Sequence, residues 1–319
     1  MKGATNMPFK RAPQKFGAAI NTVVIGTGDK AVTIGGENVL PLYSFDAPIE
    51  HRPAVGVELS DLGPDMTLPG IAAYYAGAET LVDQAVRAAA MPGADFLCLH
   101  LESADPNGRN ASVEDCVAEC KAVVEAIDLP LAISGCKNIE KDAKLFEKIA
   151  EALQGKNVLL LSAREEDYKI VAASAALAYG QKIGAESAVD INLAKQLNVL
   201  INQLGVHPES TVMNLGSAAA GYGFEYVAST MDRVKAAALG QNDQMLQMPV
   251  VTPVGSEAWN VKEAIVSEED FPEWGAREQR GVDMEVSTAA ACLAAGSNAV
   301  ILIHPESVAT ISKLIAELM

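Results

Sequence analysis

Two histidines lie at the ends of short apolar runs, where a buried strand would reach the edge of a sheet. His100 lies near the end of the run 96–101, and His304 follows the run 299–303. An imidazole titrates near neutral pH and can serve as an acid, a base or a metal ligand. A hydrogen bond to a neighbouring strand end is the simpler role, and it is the interpretation that we favour for both residues.

Acidic residues occupy the same kind of position at Glu58, Asp61, Glu102 and Asp190. Carboxylates at strand ends can carry out acid–base chemistry, or they can cap the helix that follows, and the sequence leaves both open. Polar and small residues at strand ends together form a candidate cofactor-binding set, with no residue singled out as catalytic and no metal site. The set comprises Asp61, His100, Glu102, Ser134, Cys136, Ser162, Arg164, Asp190, Asn192, Asn214, Gly216, Gly221, Gly223, Thr252 and His304.

The glycine-rich loop 216–223 resembles a phosphate-binding loop only loosely. It has no P-loop lysine, and its glycines do not fit the dinucleotide-binding spacing. We therefore expect only that a ligand or a partner's backbone approaches this loop closely.

The five cysteines are dispersed, and most of them lie within apolar runs. Cys116 and Cys120 are one helical turn apart, but they share their face with valines, which favours core packing over metal binding. An iron–sulfur cluster usually needs four thiolates at close spacing, and no such group is present. The sequence predicts reduced, buried thiols and no iron–sulfur cluster of its own.

The stretch 185–227 shows which elements must position the polar residues. It predicts a strand at 186–191, a helix with Asn192 as its N-cap that ends at Gly205, and another strand at 211–215. Similar units recur about eight times, which is typical of a closed parallel barrel with its functional face at the C-terminal ends of the strands. The predicted fold is therefore an α/β (β/α)8 TIM barrel, and a doubly wound open sheet is the lesser alternative.

A β-hairpin is predicted within residues 21–45, ahead of the first repeat. The expected division is an N-terminal extension at 1–52 and a barrel at 53–319. Within the barrel we expect one helix that places Tyr74 and Ala85 on the same face. Another helix is expected at 257–265, then an insertion at 267–280 and a helix at 283–295.

The composition excludes several classes of function. The 319 residues are 50% hydrophobic and carry a formal net charge of −17, so the surface would repel nucleic acid. No apolar run approaches the roughly 20 residues that span a bilayer, and the N-terminus has no signal-peptide core. The sequence thus predicts a cytoplasmic protein without a nucleic-acid or membrane partner.

The insertion and the residues after it carry a specific pattern. It consists of Phe271-Pro272-Glu273-Trp274-Gly275, Arg280-Gly281, Glu285, Thr288-Ala289, Gly296 and His304-Pro305-Glu306. This pattern resembles the C-terminal barrel region of the corrinoid iron–sulfur protein, the methyl carrier of acetyl-CoA synthesis. The segments 34–38 and 40–45 resemble the entry of its small, or delta, subunit, so the resemblance covers essentially the whole chain.

The resemblance implies a heterodimer with a large subunit that carries an iron–sulfur cluster and a corrinoid domain. The corrinoid, a cobamide shared with that subunit, would lie against the mouth of this barrel. The implied partners are a methyltetrahydrofolate–corrinoid methyltransferase, which supplies the methyl group, and acetyl-CoA synthase, which receives it. Neither histidine stands in the D-x-H-x-x-G pattern of cobalt-ligating histidines, so we expect neither to bind cobalt.

An enzyme of the same barrel class is the rival interpretation. Pterin-binding methyltransferases also carry Asp and Asn at strand ends, as this chain does at Asp61, Asp190, Asn192 and Asn214. The insertion pattern favours the carrier subunit.

Overall fold

A computed structural model describes residues 12–319. Eight parallel strands form one sheet in which the strands follow one another in chain order and the first strand pairs with the last. A parallel bridge between Met213 and Val250 joins the two ends of this sheet, and the Met213 N–H donates to the Pro249 carbonyl at 2.8 Å. The predicted TIM barrel is confirmed.

The barrel strands are β3 (Ala54–Ser60), β4 (Phe96–His100), β5 (Leu131–Ser134), β6 (Leu159–Ala163), β7 (Lys182–Glu186), β8 (Thr211–Asn214), β9 (Val251–Pro253) and β10 (Ala299–Leu302). The helices are α1 (Pro69–Tyr74), α2 (Leu81–Ala89), α3 (Val113–Ala126), α4 (Ile139–Ala152), α5 (Tyr168–Val171, which continues as a π-helix over Ala172–Ala178), α6 (Ile191–Gln203), α7 (Phe224–Lys235), α8 (Gly255–Ala258), α9 (Lys262–Ile265), α10 (Arg277–Ala295) and α11 (Pro305–Leu318). Among residues 12–319, every helix is too short or too polar to cross a lipid bilayer.

The predicted N-terminal hairpin is present as β1 (Val23–Ile25) and β2 (Val32–Ile34), which pair antiparallel. Its buried side chains Val23, Ile25 and Ile34 pack in one cluster with barrel-interior residues such as Phe96 and Leu159. The hairpin therefore fills one end of the barrel, because its apolar face completes the barrel's interior core.

Hydrogen bonds place the hairpin at the N-terminal ends of the strands. The Gly26 N–H donates to the carbonyl of Asn157, two residues before β6, and the Asn157 amide donates back to the carbonyls of Val24 and Gly26. Gly26 has φ +80°, and a Cβ there would lie 2.7 Å from the Pro130 ring, so the close approach requires glycine. The opposite end of the barrel, where the strands terminate, is left open.

The fifth barrel strand is β7, at Lys182–Glu186, so the prediction of a strand at 186–191 is wrong. A turn at 188–189 follows the strand and leads into α6. Asn192 is not the N-cap of α6: the Asp190 carboxylate accepts the N–H groups of Asn192 and Leu193 at 2.7 and 3.2 Å. Asp190 takes this position because its side chain reaches the donors of the first turn.

Two predicted helices are interrupted. The chain between Tyr74 and Ala85 forms α1 and α2, because Gly77 turns at φ +81° and Thr80 starts a new helix in a capping box with Asp83. The predicted helix at 257–265 is likewise two short helices, α8 and α9. The helix expected at 283–295 begins earlier, at Arg277.

Candidate functional site

The open end of the barrel, which we call the mouth, contains two adjacent cavities. The central cavity measures about 90 Å³ and is lined by residues at or near the ends of all eight barrel strands, β3 to β10. The side cavity measures about 290 Å³ and lies on one side of the mouth, over the ends of β3, β4 and β10. Glu58, His100 and Ser256 line both cavities.

Three ion pairs surround the central cavity. His100 Nδ1 lies 3.3 Å from Glu58 Oε1, and Arg164 Nε lies 3.3 Å from Glu186 Oε1. The third pair joins Lys137 Nζ and Glu257 Oε1 at 3.6 Å. Each cation therefore has its own carboxylate, so the wall presents both donors and acceptors with nearly balanced charge.

The Lys137–Glu257 pair spans the mouth. Lys137 follows β5 and Glu257 lies in α8, which follows β9; these two strands are four positions apart in an eight-stranded ring. Both side chains are exposed, at 63% and 41%. The pair thus lies over the central cavity where a ligand would enter.

The environment of His100 favours its protonated form. Burial opposes the charge, but the hydrogen bond and charge of Glu58, together with Glu102, outweigh it and raise the pKa of His100; Lys137 acts in the opposite direction. His100 therefore carries positive charge over a wider pH range than a free histidine.

The Arg164 side chain contacts both Glu186 at the mouth and Asp142 of α4. Its Nη2 lies 3.4 Å from Glu186. Its Nη1 lies 3.7 Å from Asp142 and has no hydrogen-bond partner in the described part of the chain. Asp142 also accepts the backbone N–H of Cys136 at 2.7 Å, and burial raises the pKa of this carboxyl. Cys136 is consequently held against α4 and does not line either cavity.

Neutral polar groups complete the central cavity. The Asn214 amide donates to Ser162 Oγ at 3.0 Å, and its carbonyl oxygen accepts the Gly216 N–H at 3.1 Å. Ser217 Oγ is buried and has no hydrogen-bond partner among residues 12–319. This hydroxyl is therefore available to form a hydrogen bond with a ligand.

The structure brings seven of the sequence-predicted site residues to the two cavities. They are His100, Glu102, Ser134, Ser162, Arg164, Asn214 and Gly216. The others line neither cavity: Asp61, Cys136, Asp190, Asn192, Gly221, Gly223, Thr252 and His304.

Three of these outlying residues have structural partners. Asp61 accepts hydrogen bonds from the N–H and hydroxyl of Ser103, at 2.8 and 2.5 Å. Thr252 is buried and bonds to Ser297, the residue that follows α10 by two, so it faces the helical layer. Asp190 caps α6, as described above.

His304 is buried and fully engaged. Its Nδ1 accepts the Glu306 N–H at 3.2 Å and thereby caps α11, which leaves the proton on Nε2, 3.1 Å from Glu278. The ring also stacks on Trp259, with 5.7 Å between centroids. His304 thus has the hydrogen-bonding role that we favoured from the sequence, although its partners lie in α10 and α11 and not at a neighbouring strand end.

Of the six residues in the ion pairs around the central cavity, the predicted site set contains only His100 and Arg164. Glu186 falls at the start of the misplaced strand, although it is the last residue of β7, as its place opposite Asn214 shows. Lys137 and Glu257 lie beyond the strand ends, and no local pattern indicates that they meet. Glu58 was recognised as a strand-end acid, and the alternation of inward-facing residues along β3 would have placed it inside the barrel.

The five cysteines are free and buried. Within the described residues 12–319, no group of three or more His, Cys, Asp or Glu residues could hold a metal ion. Burial and the charge of Glu58 raise the pKa of Cys98, which lines the central cavity, so this thiol stays protonated.

Comparison with solved structures supports the barrel fold. The chain is similar to dihydropteroate synthase from Xanthomonas albilineans with 4-aminobenzoic acid (TM-score 0.54, 14% identity, 93% of this chain and 98% of that one). It is also similar to 7,8-dihydropteroate synthase from Vibrio fischeri (TM-score 0.54, 11% identity, 92% and 97% covered). At such identities the likeness concerns the fold alone.

Comparison of sequences gives closer relatives. The delta subunit of the acetyl-CoA decarbonylase/synthase complex of Archaeoglobus fulgidus is 32% identical, over 96% of this chain and 70% of that protein. The delta 1 subunit of Methanosarcina thermophila is 31% identical, over 91% and 66%. The chain thus spans about two thirds of the length of these relatives. Residues 22–308 match the family described as CO dehydrogenase/acetyl-CoA synthase delta subunit, and the chain belongs to this family.

Proposed function

We propose that this chain is the small subunit of a heterodimeric corrinoid iron–sulfur methyl carrier of the reductive acetyl-CoA pathway. In this proposal the barrel mouth covers one face of a corrinoid that a larger subunit mainly holds. The observation that carries the proposal is family membership over 22–308, joined to a mouth whose polar groups suit such a ligand.

The chemistry of the mouth fits the periphery of a corrin. A corrin ring carries neutral primary carboxamides, which both donate and accept hydrogen bonds. The central cavity offers carboxylates as acceptors and Lys137, Arg164 and Ser217 as donors, in pairs of balanced charge. A free phosphate or an organic cation would disturb that balance, whereas an amide-rich neutral molecule would not.

The size of the central cavity also bears on the binding mode. At about 90 Å³ it is well below the roughly 300–1,000 Å³ of enclosed small-molecule pockets, so a macrocycle would lie over the mouth. A bound corrinoid would supply the chemistry of methyl transfer from methyltetrahydrofolate, by way of a methyltransferase, to acetyl-CoA synthase. The chain's own residues would hold the ring edge and exclude water from its covered face.

Neither His100 nor His304 would ligate the cobalt in this proposal. Both ring nitrogens of His304 have partners within the fold, and the raised pKa of His100 favours a protonated ring, which cannot coordinate a metal. The iron–sulfur cluster belongs to the large subunit, because the cysteines of this chain are dispersed and buried. We place the assembly in the cytoplasm.

Anaerobic co-purification with the large subunit tests the proposal. We expect a heterodimer with one corrinoid and with iron–sulfur absorbance, and we expect the isolated chain to retain neither. Electron paramagnetic resonance of the cob(II) form should show no nitrogen splitting, in the wild type and in His100→Ala alike. Stoichiometric corrinoid on the isolated chain would refute the shared-interface arrangement.

The same preparation separates the carrier from its rival. A pterin-binding methyltransferase would bind methyltetrahydrofolate at micromolar concentration without the large subunit. Of the strand-end residues that suggested this enzyme, only Asn214 lines a cavity. We therefore expect no such binding in a titration of the isolated chain.

A further inference from the structure

The side cavity has a composition of its own. Its walls include the apolar side chains of Leu68, Ile71, Tyr75 and Trp259, which come from the loop after β3, from α1 and from the residue that ends α8. Its volume of about 290 Å³ is close to the lower end of small-molecule pockets, near roughly 300 Å³. It can enclose a small organic molecule, which the central cavity cannot.

The aromatic wall is held in place from behind. Trp259 packs closely against α10 at Gly281, where a Cβ would lie 2.1 Å from the indole ring. The indole also stacks on the buried His304 ring. The wall is consequently preformed, and little conformational entropy would be lost when a flat ligand packs against it.

One charge pair at the rim is already satisfied. Asp65 accepts hydrogen bonds from the N–H and hydroxyl of Thr67 and pairs with Arg277 Nη2 at 3.2 Å. Burial opposes its charge, but these bonds outweigh burial and lower the pKa of Asp65. Arg277 also donates to Thr67 and to the Ala264 carbonyl, so neither residue leaves a charge unbalanced.

The remaining polar groups leave an excess of negative charge. Glu58 and Glu102 both line the cavity, and His100 is the one base apart from Arg277 among the described residues that line it. Within residues 12–319 the Glu102 carboxylate accepts one hydrogen bond, from Ser60 Oγ at 2.7 Å, so its other oxygen can accept a hydrogen bond from a ligand. Even with His100 protonated, two carboxylates face one cation.

We propose that the side cavity binds a small flat molecule with an N–H-rich edge, such as an amidinium, a guanidinium or an amino-heterocycle. The edge would donate to Glu102 and Glu58, and the flat face would pack on Trp259. Charge-assisted hydrogen bonds of this kind are stronger than neutral ones, so a cation is preferred over its neutral analogue. An anion of the same shape is excluded by the two carboxylates. The inference does not depend on the corrinoid assignment.

Three probes of one shape test the proposal: benzamidine, benzamide and benzoate, titrated onto the full chain by ligand-observed NMR. A Trp274→Phe background leaves Trp259 as the sole tryptophan, so its fluorescence reports binding at this cavity. We expect benzamidine to bind and change Trp259 fluorescence, benzamide to bind more weakly, and benzoate to show no binding.

Glu102→Gln supplies the matched test, because Glu102 is exposed and its replacement preserves the side-chain shape. It should weaken benzamidine binding by about tenfold or more, as expected when a charged acceptor becomes neutral. Glu186→Gln, in the central cavity, should leave benzamidine affinity unchanged. Absence of benzamidine binding at millimolar concentration, equal binding of benzoate, or no effect of Glu102→Gln would each overturn the proposal.

Discussion

The two ends of the barrel differ in how they are lined and closed. At the N-terminal end, the hairpin side chains Val23, Ile25 and Ile34 close the interior, and each is fully buried. At the mouth, ion pairs and two cavities remain open to a ligand. We therefore expect stability to be concentrated at the closed end and, under the proposed function, binding at the open end.

The ion pairs at the two ends of the barrel also differ, in how deeply they are buried. At the closed end, Lys235 Nζ lies 2.8 Å from Glu37 and 3.0 Å from Asn298, with the lysine side chain only 3% exposed. At the mouth, the Lys137–Glu257 pair is largely in solvent. A buried pair stabilises only while both members are present, whereas an exposed pair contributes little. Mutations at the two ends should therefore have different consequences.

The largest effect is expected for Lys235→Met at the closed end. The change leaves Glu37 buried without its cation, which should cost about 3–5 kcal/mol of unfolding free energy. Chemical denaturation measures this value, and Lys195→Met, which breaks the exposed pair with Asp243, should cost less than about 1 kcal/mol. Equal losses in the two variants would contradict the comparison.

The same pair predicts a response to acid. Burial opposes ionisation of Glu37, but the charge and hydrogen bond of Lys235 outweigh it and lower the pKa of this carboxyl. Its contribution is therefore present above the ordinary glutamate pKa and is lost as pH falls through the lowered value. The Lys235→Met variant lacks this stabilisation, so its unfolding free energy should fall less on acidification than that of the wild type.

Ile25→Ala should have the next largest effect, because it opens a cavity in the closed end of the barrel. We expect a loss of about 2–5 kcal/mol in unfolding free energy. Val24→Ala is the matched control, since Val24 is on the same strand but 40% exposed, and it should change stability by about 0.5 kcal/mol or less. A similar loss in both variants would show that the hairpin does not fill the interior.

His100→Asn should produce a smaller, pH-dependent effect at the mouth. Because the folded-state pKa of His100 is raised, the stabilisation by Glu58 is complete below the ordinary value near roughly 6.5 and disappears as pH rises through the folded value. Unfolding free energy measured from pH 6 upward should fall more steeply in the wild type than in the variant. A substitution of the exposed His207 is the control variant. Identical slopes of unfolding free energy against pH for the wild type and His100→Asn would refute the assignment of a raised pKa to His100.

The smallest effect is expected for the pair that spans the mouth. A double-mutant cycle with Lys137→Met and Glu257→Gln should give a coupling of about 0.2–1 kcal/mol. Lys137→Met should also raise the pKa of His100 further, because Lys137 opposes its protonation. NMR of the histidine rings reports that shift, and a coupling above about 2 kcal/mol would mean that the pair stabilises the fold, contrary to our comparison.

Sequence patterns predicted the barrel because each unit is local: an apolar strand, a capped helix and a glycine stop. These patterns were less accurate where a shift of one residue along a strand decides whether a side chain faces the mouth or the helices. Thr252 was expected at the mouth, but neighbours alternate in a strand, and its side chain faces α10. Glu186 was missed because the strand boundary was placed four residues late.

The ion pair across the mouth could not be predicted from the chain at all. Lys137 and Glu257 are separated by 120 residues in sequence, and they meet only because the closed ring brings β5 and β9 to opposite sides of a narrow opening. Likewise, His304 was a candidate for the mouth by its place after β10, although a hydrogen-bonding role was favoured, and its contacts with Glu278 and Glu306 hold it in the core. Such outcomes depend on tertiary packing, which local periodicity does not encode.

Corrinoid retention by the heterodimer tests the division between the two ends most directly. Glu186→Gln keeps an acceptor for Arg164 but removes a mouth charge, so corrinoid should dissociate about tenfold faster while the melting temperature changes little. Ile25→Ala should lower the melting temperature and leave corrinoid dissociation unchanged at temperatures where the heterodimer stays folded. Unchanged retention in Glu186→Gln, or selective loss of corrinoid in Ile25→Ala, would contradict the assignment of binding to the mouth.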